Sequence, residues 1–146
     1  MPNPEITPES IGAMLADTAP SYPHALDIEP LSIDDERSIG AITVADIHLH
    51  PGKFVHGGVW TGLGDTVAAW QTFRHLEAGQ NFTTIELKLN VFAGARLGDR
   101  LTATASHLHT GRTTHVIEVR IDRGTGDESR DAKLSANLIV TQFVIA

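Results

Sequence analysis

Residues 56–65 read HGGVWTGLGD, and they open the longest helical pattern in the chain. Large apolar residues recur through the pattern at spacings of four and three: Leu63, Val67, Trp70 and Phe73. The spacing predicts one amphipathic helix over residues 57–77, whose apolar stripe faces a core. Gly62 and Gly64 each cost about 1 kcal/mol inside a helix relative to alanine, so we expect close packing against a sheet there.

The start of this helix combines two glycines with an acid. The first backbone N–H groups of a helix have no partner within the helix, and the helix dipole makes that end positive. Because Gly57 and Gly58 lack Cβ atoms, a substrate carbonyl can approach their N–H groups closely. Asp65 lies further along the helix among small side chains. The pattern predicts an oxyanion-binding helix start beside a carboxylate.

The remaining patterns predict one α+β domain over residues 1–146, with a non-distinctive helical segment at residues 1–25. A short helix is expected at 7–17, a weak strand at 25–33 and a longer strand at 39–49. Four strands follow the long helix, at 82–92, 101–109, 113–122 and 133–145. A single antiparallel sheet whose concave face wraps the long helix accommodates this order with short connections.

Composition excludes several classes of function. The chain has 146 residues, a net charge of −7 and no cysteine, so disulfides, thiolate metal sites and a nonspecific nucleic-acid surface are not expected. No run of about 18 apolar residues is present, and the N-terminal residues lack the basic start and apolar block of a signal peptide. We expect a cytoplasmic protein without a membrane or nucleic-acid partner.

Alternating patterns assign side chains to strand faces. In residues 82–92, Thr84 is expected to share a face with Glu86, Lys88 and Asn90, opposite Leu87 and Leu89. His48 and His50 are likewise expected on one strand face, as are His107 and His109. Paired imidazoles can begin a zinc site, but the sequence suggests no third ligand, so no metal is predicted.

Four motifs in this order carry a family resemblance: His56-Gly57-Gly58 with Asp65 nine residues after the histidine, the strand at 83–90, residues 95–99, and Gly111-Arg112-Thr113. Together they resemble the hotdog-fold acyl-CoA thioesterases, specifically the PaaI-like branch of the 4-hydroxybenzoyl-CoA thioesterase superfamily. The resemblance covers about residues 39–146. It implies a hotdog fold, in which an antiparallel sheet wraps around one long central helix.

The resemblance also implies roles for individual residues. Asp65 matches the catalytic acid, and Gly57 matches the residue whose N–H polarises the thioester carbonyl. Thr84 matches a position that helps to hold the attacking water. His50 stands where family members usually have Asn or Gln, and an imidazole can also donate a hydrogen bond. Contacts with the substrate are expected from His56, Gly58 and Arg112.

The activity implied is hydrolysis of an aryl- or medium-chain acyl-CoA to the free acid and coenzyme A. Asp65 acts as nucleophile or as base for water, and the sequence leaves both routes open. No cofactor is expected, since coenzyme A is part of the substrate. The family forms homodimers or homotetramers, and its sites lie at subunit interfaces, with Asp65 of one chain facing Thr84 of the other. The alternative is a non-catalytic acyl-CoA binding or sensing module.

Overall fold

Six antiparallel strands form one sheet in the computed structural model, which describes residues 2–124 and 132–146. The strands are β1 (Glu29–Ile33), β2 (Arg37–Thr43), β3 (Asn81–Val91), β4 (Arg100–Thr110), β5 (Thr114–Gly124) and β6 (Lys133–Ile145). They are ordered β1-β2-β4-β5-β6-β3, so β1 and β3 are the edges. The helices are α1 (Pro8–Asp17), α2 (Tyr22–Ala25), α3 (Gly57–His75) and a 3-10 turn at Asp46–His48. In the part of the chain that is described, no helix has the length and apolar character needed to cross a membrane.

Helix α3 is the predicted central helix, and it contacts all six strands. Three residues of its predicted stripe, Leu63, Val67 and Trp70, are buried, and Phe73 is half-buried. The helix ends at His75, two residues before the predicted end at 77, because the backbone of Leu76 is already extended. The expected α+β architecture, one antiparallel sheet around one long helix, is confirmed.

The two glycines inside α3 make close contacts, but with different elements. A Cβ at Gly64 would lie 2.5 Å from Cδ2 of Leu138 on β6, so this glycine lets the helix rest on the sheet as expected. A Cβ at Gly62 would instead lie 2.7 Å from Leu26 and 2.9 Å from Tyr22. The prediction of packing against a sheet is therefore correct for Gly64 and wrong for Gly62, which receives the N-terminal part of the chain.

The strand predicted at 39–49 is shorter than expected. β2 ends at Thr43, and a 3-10 turn over Asp46–His48 follows it. The buried ring of His48 accepts from the Ala45 N–H at 2.9 Å through Nδ1, so its Nε2–H donates to the Leu26 carbonyl at 2.8 Å. The expectation that His48 and His50 share a strand face is wrong, because His48 joins this turn to the segment after α2.

A β-bulge changes the predicted faces of β3. Its pairing with β6 shifts register between Thr84 and Glu86, so Ile85 is an extra residue. Thr84 consequently lies on the same side as Leu87, which packs against the core. The predicted alternation, which placed Thr84 opposite Leu87, is wrong.

Polar side chains of the second half of α3 meet polar side chains of the sheet. They are Ser38, Gln71, Thr72, His75, His107, His115 and Gln142, which we call the polar layer. The Ser38 hydroxyl donates to Gln71 at 2.6 Å, and the Thr72 hydroxyl donates to Gln142. A bulge between His107 and His109 turns His107 towards His115, with ring nitrogens 3.0 Å apart, and leaves His109 exposed. The prediction that His107 and His109 share a face is therefore wrong as well.

Candidate active site

The carboxylate of Asp65 is held by a hydroxyl from the same chain. Thr84 Oγ1 donates to Asp65 Oδ1 at 2.8 Å, and both side chains are half-buried. The β3 bulge makes this contact possible by turning Thr84 towards α3. In the described residues Oδ2 accepts no hydrogen bond from the protein. The expectation that Asp65 faces Thr84 of another chain is corrected, since the two residues meet within one protomer.

Asp65 and Thr84 line a pocket of about 300 Å³. Its other lining residues on α3 and β3 are Thr66, Ala69, Trp70, Phe73 and Phe82. The rings of Phe73 and Phe82 meet edge to face, with centroids 4.9 Å apart. A largely apolar pocket with a small polar cluster is typical of a ligand site, and this volume lies near the lower end of the usual range of about 300–1,000 Å³.

The sequence left open whether the N-terminal segment caps the pocket, and it identified none of the residues on the pocket's other wall. This wall is formed by Met14 and Leu15 of α1 and by Tyr22 and Pro23 of α2. Residues 1–25 carried no recognisable motif. The available signal in the sequence was weak, since Met14 and Leu15 share an apolar face of the helix predicted at 7–17.

At the start of α3 only one of the two glycine N–H groups is open. The His56 ring caps the helix, because its Nδ1 accepts from the Gly58 N–H at 2.8 Å. Among the described residues the N–H of Gly57 donates to no protein atom, and a Cβ at this position would meet nothing within 4 Å. The expectation of two available N–H groups is therefore corrected to Gly57 alone.

Gly57 and Asp65 of one chain are too far apart to act on one carbonyl. Asp65 lies eight positions after Gly57, which corresponds to about 12 Å along the helix axis. An oxyanion donor must lie about 3 Å from the oxygen that it stabilises. One chain therefore presents the acid and the open N–H at two distinct places.

His50 lies in a short loop joined to the start of α3. Its backbone N–H donates to the Phe54 carbonyl at 3.0 Å, next to the Leu49–Val55 bridge. The Nδ1 atom accepts from the Gly52 N–H at 2.9 Å. In the neutral ring Nε2 therefore carries the proton, and His50 presents a hydrogen-bond donor as an amide side chain does.

Arg112 lies away from Asp65, in the turn between β4 and β5. It is exposed and borders a polar pocket of about 410 Å³ that is also lined by His75 and His115. His75 is ten residues beyond Asp65 on α3, or about 15 Å along the axis. The fold of one chain does not bring Arg112 into the pocket that holds Asp65.

Two imidazoles of the polar layer, those of His107 and His115, have lowered pKa values and so favour the neutral form. Burial, followed by the proximity of His75 and His115, lowers the pKa of His107 to about 4. Burial and the neighbouring His75 and His109 also lower the pKa of His115. Within residues 2–124 and 132–146, no three histidines or acids are arranged to hold a metal ion.

The comparisons with known proteins agree with this architecture. A family profile described as the thioesterase superfamily matches residues 52–129. Acyl-coenzyme A thioesterase PaaI of Escherichia coli is 34% identical over 98 residues, which are 66% of this chain and 67% of that protein. PA1618 of Pseudomonas aeruginosa is 30% identical over 107 residues, or 72% of this chain and 73% of that protein. The crystal structure of a mutant of thioesterase PA1618 covers 94% of this chain and 93% of its own, with a TM-score of 0.83 at 26% identity.

Proposed function

The chain belongs to the thioesterase superfamily, and on that premise we propose that it hydrolyses an aryl- or medium-chain acyl-CoA to the free acid and coenzyme A. The observation that carries the proposal is the hydrogen bond between Asp65 and Thr84 on the wall of an apolar pocket. The apolar pocket can bind the acyl group. The carboxylate on its wall would then lie beside the thioester carbonyl carbon, where the attack takes place. Relatives named as acyl-CoA thioesterase and CoA hydrolase support the class of substrate.

Asp65 supplies the reacting oxygen in either of two routes. Because Thr84 donates to Oδ1, we assign the reaction to Oδ2, which accepts no hydrogen bond from the described residues. As a base, Oδ2 takes a proton from water while the hydroxide adds to the carbonyl carbon. The tetrahedral intermediate then expels the thiolate of coenzyme A, which receives the proton. As a nucleophile, Oδ2 adds to the carbonyl, expels the thiolate and leaves an anhydride that water cleaves.

The oxyanion of either intermediate is proposed to accept from the Gly57 N–H of a second copy of the chain. The separation of about 12 Å along α3 supports this arrangement, since one chain cannot place both groups on one carbonyl. His50 and His56 would enter the site from the same copy as Gly57. Exposed apolar side chains on the β3 edge, Ile85 at 57% and Val91 at 42%, support pairing of two copies. We therefore propose a homodimer, or a homotetramer built from two dimers.

Arg112 is proposed to contact the phosphates of coenzyme A rather than the acyl group. A guanidinium binds phosphate oxygens well, and Arg112 is exposed. Its distance from Asp65 requires that the substrate extends away from the reacting carbonyl, or that Arg112 comes from another copy.

The first test measures thiol release from a panel of acyl-CoA esters. We expect Asp65→Asn to lower turnover at least about 100-fold, the usual effect of removing a catalytic base or nucleophile. Asp17→Asn, which changes an exposed acid at the end of α1, is the matched control and should leave turnover unchanged. Absence of turnover by the wild type, with retained acyl-CoA binding, would replace the proposal by the sensing module.

A second test examines the contribution of two copies. Gly57→Pro removes the open N–H at the first helical position, where proline is tolerated, and the extended His56 (φ −63°, ψ 140°) suits a following proline. Asp65→Asn and Gly57→Pro should each be inactive alone. When both chains are co-expressed in equal amounts, about a quarter of wild-type activity should return, because half of the dimers are mixed and hold one intact site. No recovery would refute the shared site.

A further inference from the structure

Helix α2 is fixed to α3 by specific contacts, and α1 packs against α2 and β1. Leu15 of α1 is buried in the core. Tyr22 and Leu26 press against the bare backbone of Gly62, where a Cβ would come within 2.9 Å of both. The Tyr22 hydroxyl donates to the Gly58 carbonyl at 3.2 Å. These contacts hold the segment over the half of α3 that carries Asp65.

Two side chains of this segment are exposed although they are large and apolar. Met14 is 39% exposed and Tyr22 is 58% exposed, and both border the pocket of about 300 Å³ that contains Asp65 and Thr84. Phe73 and Phe82 form the opposing wall. An acyl group bound between the two walls would cover this apolar surface, which otherwise faces water.

We propose that Met14 and Tyr22 set the length of the acyl group that this enzyme accepts. This inference rests on the proposed function, because it assigns the pocket beside Asp65 to the acyl moiety. With the carbonyl at Asp65, the chain enters between the N-terminal helices and the aromatic pair. The two side chains close the pocket, so a group longer than a single ring or a medium chain meets Met14 and Tyr22.

The test is a ratio of specificities, which a general folding defect does not change. kcat/KM is measured for acetyl-, hexanoyl-, phenylacetyl- and hexadecanoyl-CoA with the wild type, Met14→Ala and Tyr22→Ala. We expect the hexadecanoyl-to-hexanoyl ratio to rise about tenfold in each alanine variant, since differences of this size arise from a few methylene groups in a pocket. The acetyl-CoA value should change little, because a two-carbon group does not reach the wall.

Two further variants show whether a change in the ratio comes from the bulk of the side chains that line the pocket. Tyr22→Phe keeps the ring and loses only the hydrogen bond to Gly58, so the wild-type ratio should be retained. Leu108→Ala removes an apolar side chain that is 59% exposed on β4, outside this pocket, and should leave the ratio unchanged. Unchanged ratios in both Met14→Ala and Tyr22→Ala would overturn the proposal.

Binding distinguishes failure of this inference from failure of the proposed function. Hexanoyl- and hexadecanoyl-CoA are titrated calorimetrically into Asp65→Asn with and without Met14→Ala. The wild type could hydrolyse nothing while Met14→Ala still shifts the ratio of the two Kd values about tenfold. This result would support the role of Met14 in acyl binding and refute the proposed hydrolysis. If the wild type hydrolyses esters but neither the kcat/KM ratio nor the Kd ratio shifts, the role of Met14 and Tyr22 is refuted and the proposed function is retained. If there is neither turnover nor binding, both are wrong.

Discussion

The contact between α3 and β6 predicts that alanine at position 64 destabilises the protein, although alanine is the better helix former. Its Cβ would lie 2.5 Å from Cδ2 and 2.8 Å from Cδ1 of Leu138. Carbon atoms in contact are normally about 3.5–4.0 Å apart, so the helix or the leucine must move by about 1 Å. Leu138 is completely buried, so its side chain cannot turn out into solvent.

The expected magnitude is a difference of two effects. Overpacking of a core costs about 1–3 kcal/mol. Replacing glycine by alanine inside a helix raises the free energy of unfolding by about 1 kcal/mol. We therefore expect Gly64→Ala to lower the free energy of unfolding by up to about 2 kcal/mol. Gly12→Ala in α1 is the matched control, because the nearest atom to its Cβ is Pro30 Cγ at an ordinary 4.0 Å. This variant should gain about 0.5–1 kcal/mol.

The assay is urea denaturation at one fixed protein concentration, because association contributes to the stability of an oligomer. A double-mutant cycle with Leu138→Ala isolates the contact. In the Leu138→Ala background space is available, so Gly64→Ala should become neutral or stabilising, with a coupling of about 1 kcal/mol or more. If Gly64→Ala is as stable as Gly12→Ala in the original background, the argument from close packing is refuted.

Three further predictions concern the site and the buried histidines. Thr84→Val removes the donor to Asp65, and we expect kcat to fall about tenfold, whereas Thr84→Ser retains most activity; equal losses would contradict the importance of the hydroxyl. Because burial lowers the pKa of His107 to about 4, the unfolded chain takes up its proton first, near the ordinary 6.5. Stability should therefore fall as the pH falls from about 6.5 to about 4, and His107→Gln should flatten this slope in urea titrations; an unchanged slope would refute the assignment. His48→Leu leaves the buried Leu26 carbonyl without its donor and should cost about 1–3 kcal/mol in thermal unfolding, so a neutral substitution would argue against the hydrogen bond between His48 and Leu26.

The helix and strand order was predictable because apolar periodicity reports burial directly. Leu63 and Val67 follow the helical period, and both are buried against the sheet. The stretch around Gly57 was equally informative, since an open helix start depends on local chemistry. The open N–H of Gly57 agrees with that expectation, although His56 occupies the neighbouring N–H.

The contacts within the site were not predictable from the pattern. A bulge has no reliable sequence signature, and the one at Ile85 reverses the face of Thr84. This single insertion brings Thr84 to Asp65 within one chain. The pocket wall was missed for a different reason. Tyr22 packs on Gly62, and Met14 lines the same pocket as Asp65, through tertiary contacts that no local pattern records.

The polar layer has a consequence for the axial position of α3. Apolar contacts are non-directional, whereas a buried hydrogen-bonding group needs a partner at a defined position. The hydrogen bond between Ser38 and Gln71 connects the helix to β2, and the one between Thr72 and Gln142 connects it to β6. Each bond fixes one position along the helix axis. A slip by one turn, about 5.4 Å, would strand these buried groups without partners, at about 1–3 kcal/mol each. The polar layer thus sets the helix register, and with it the distance at which Asp65 meets β3.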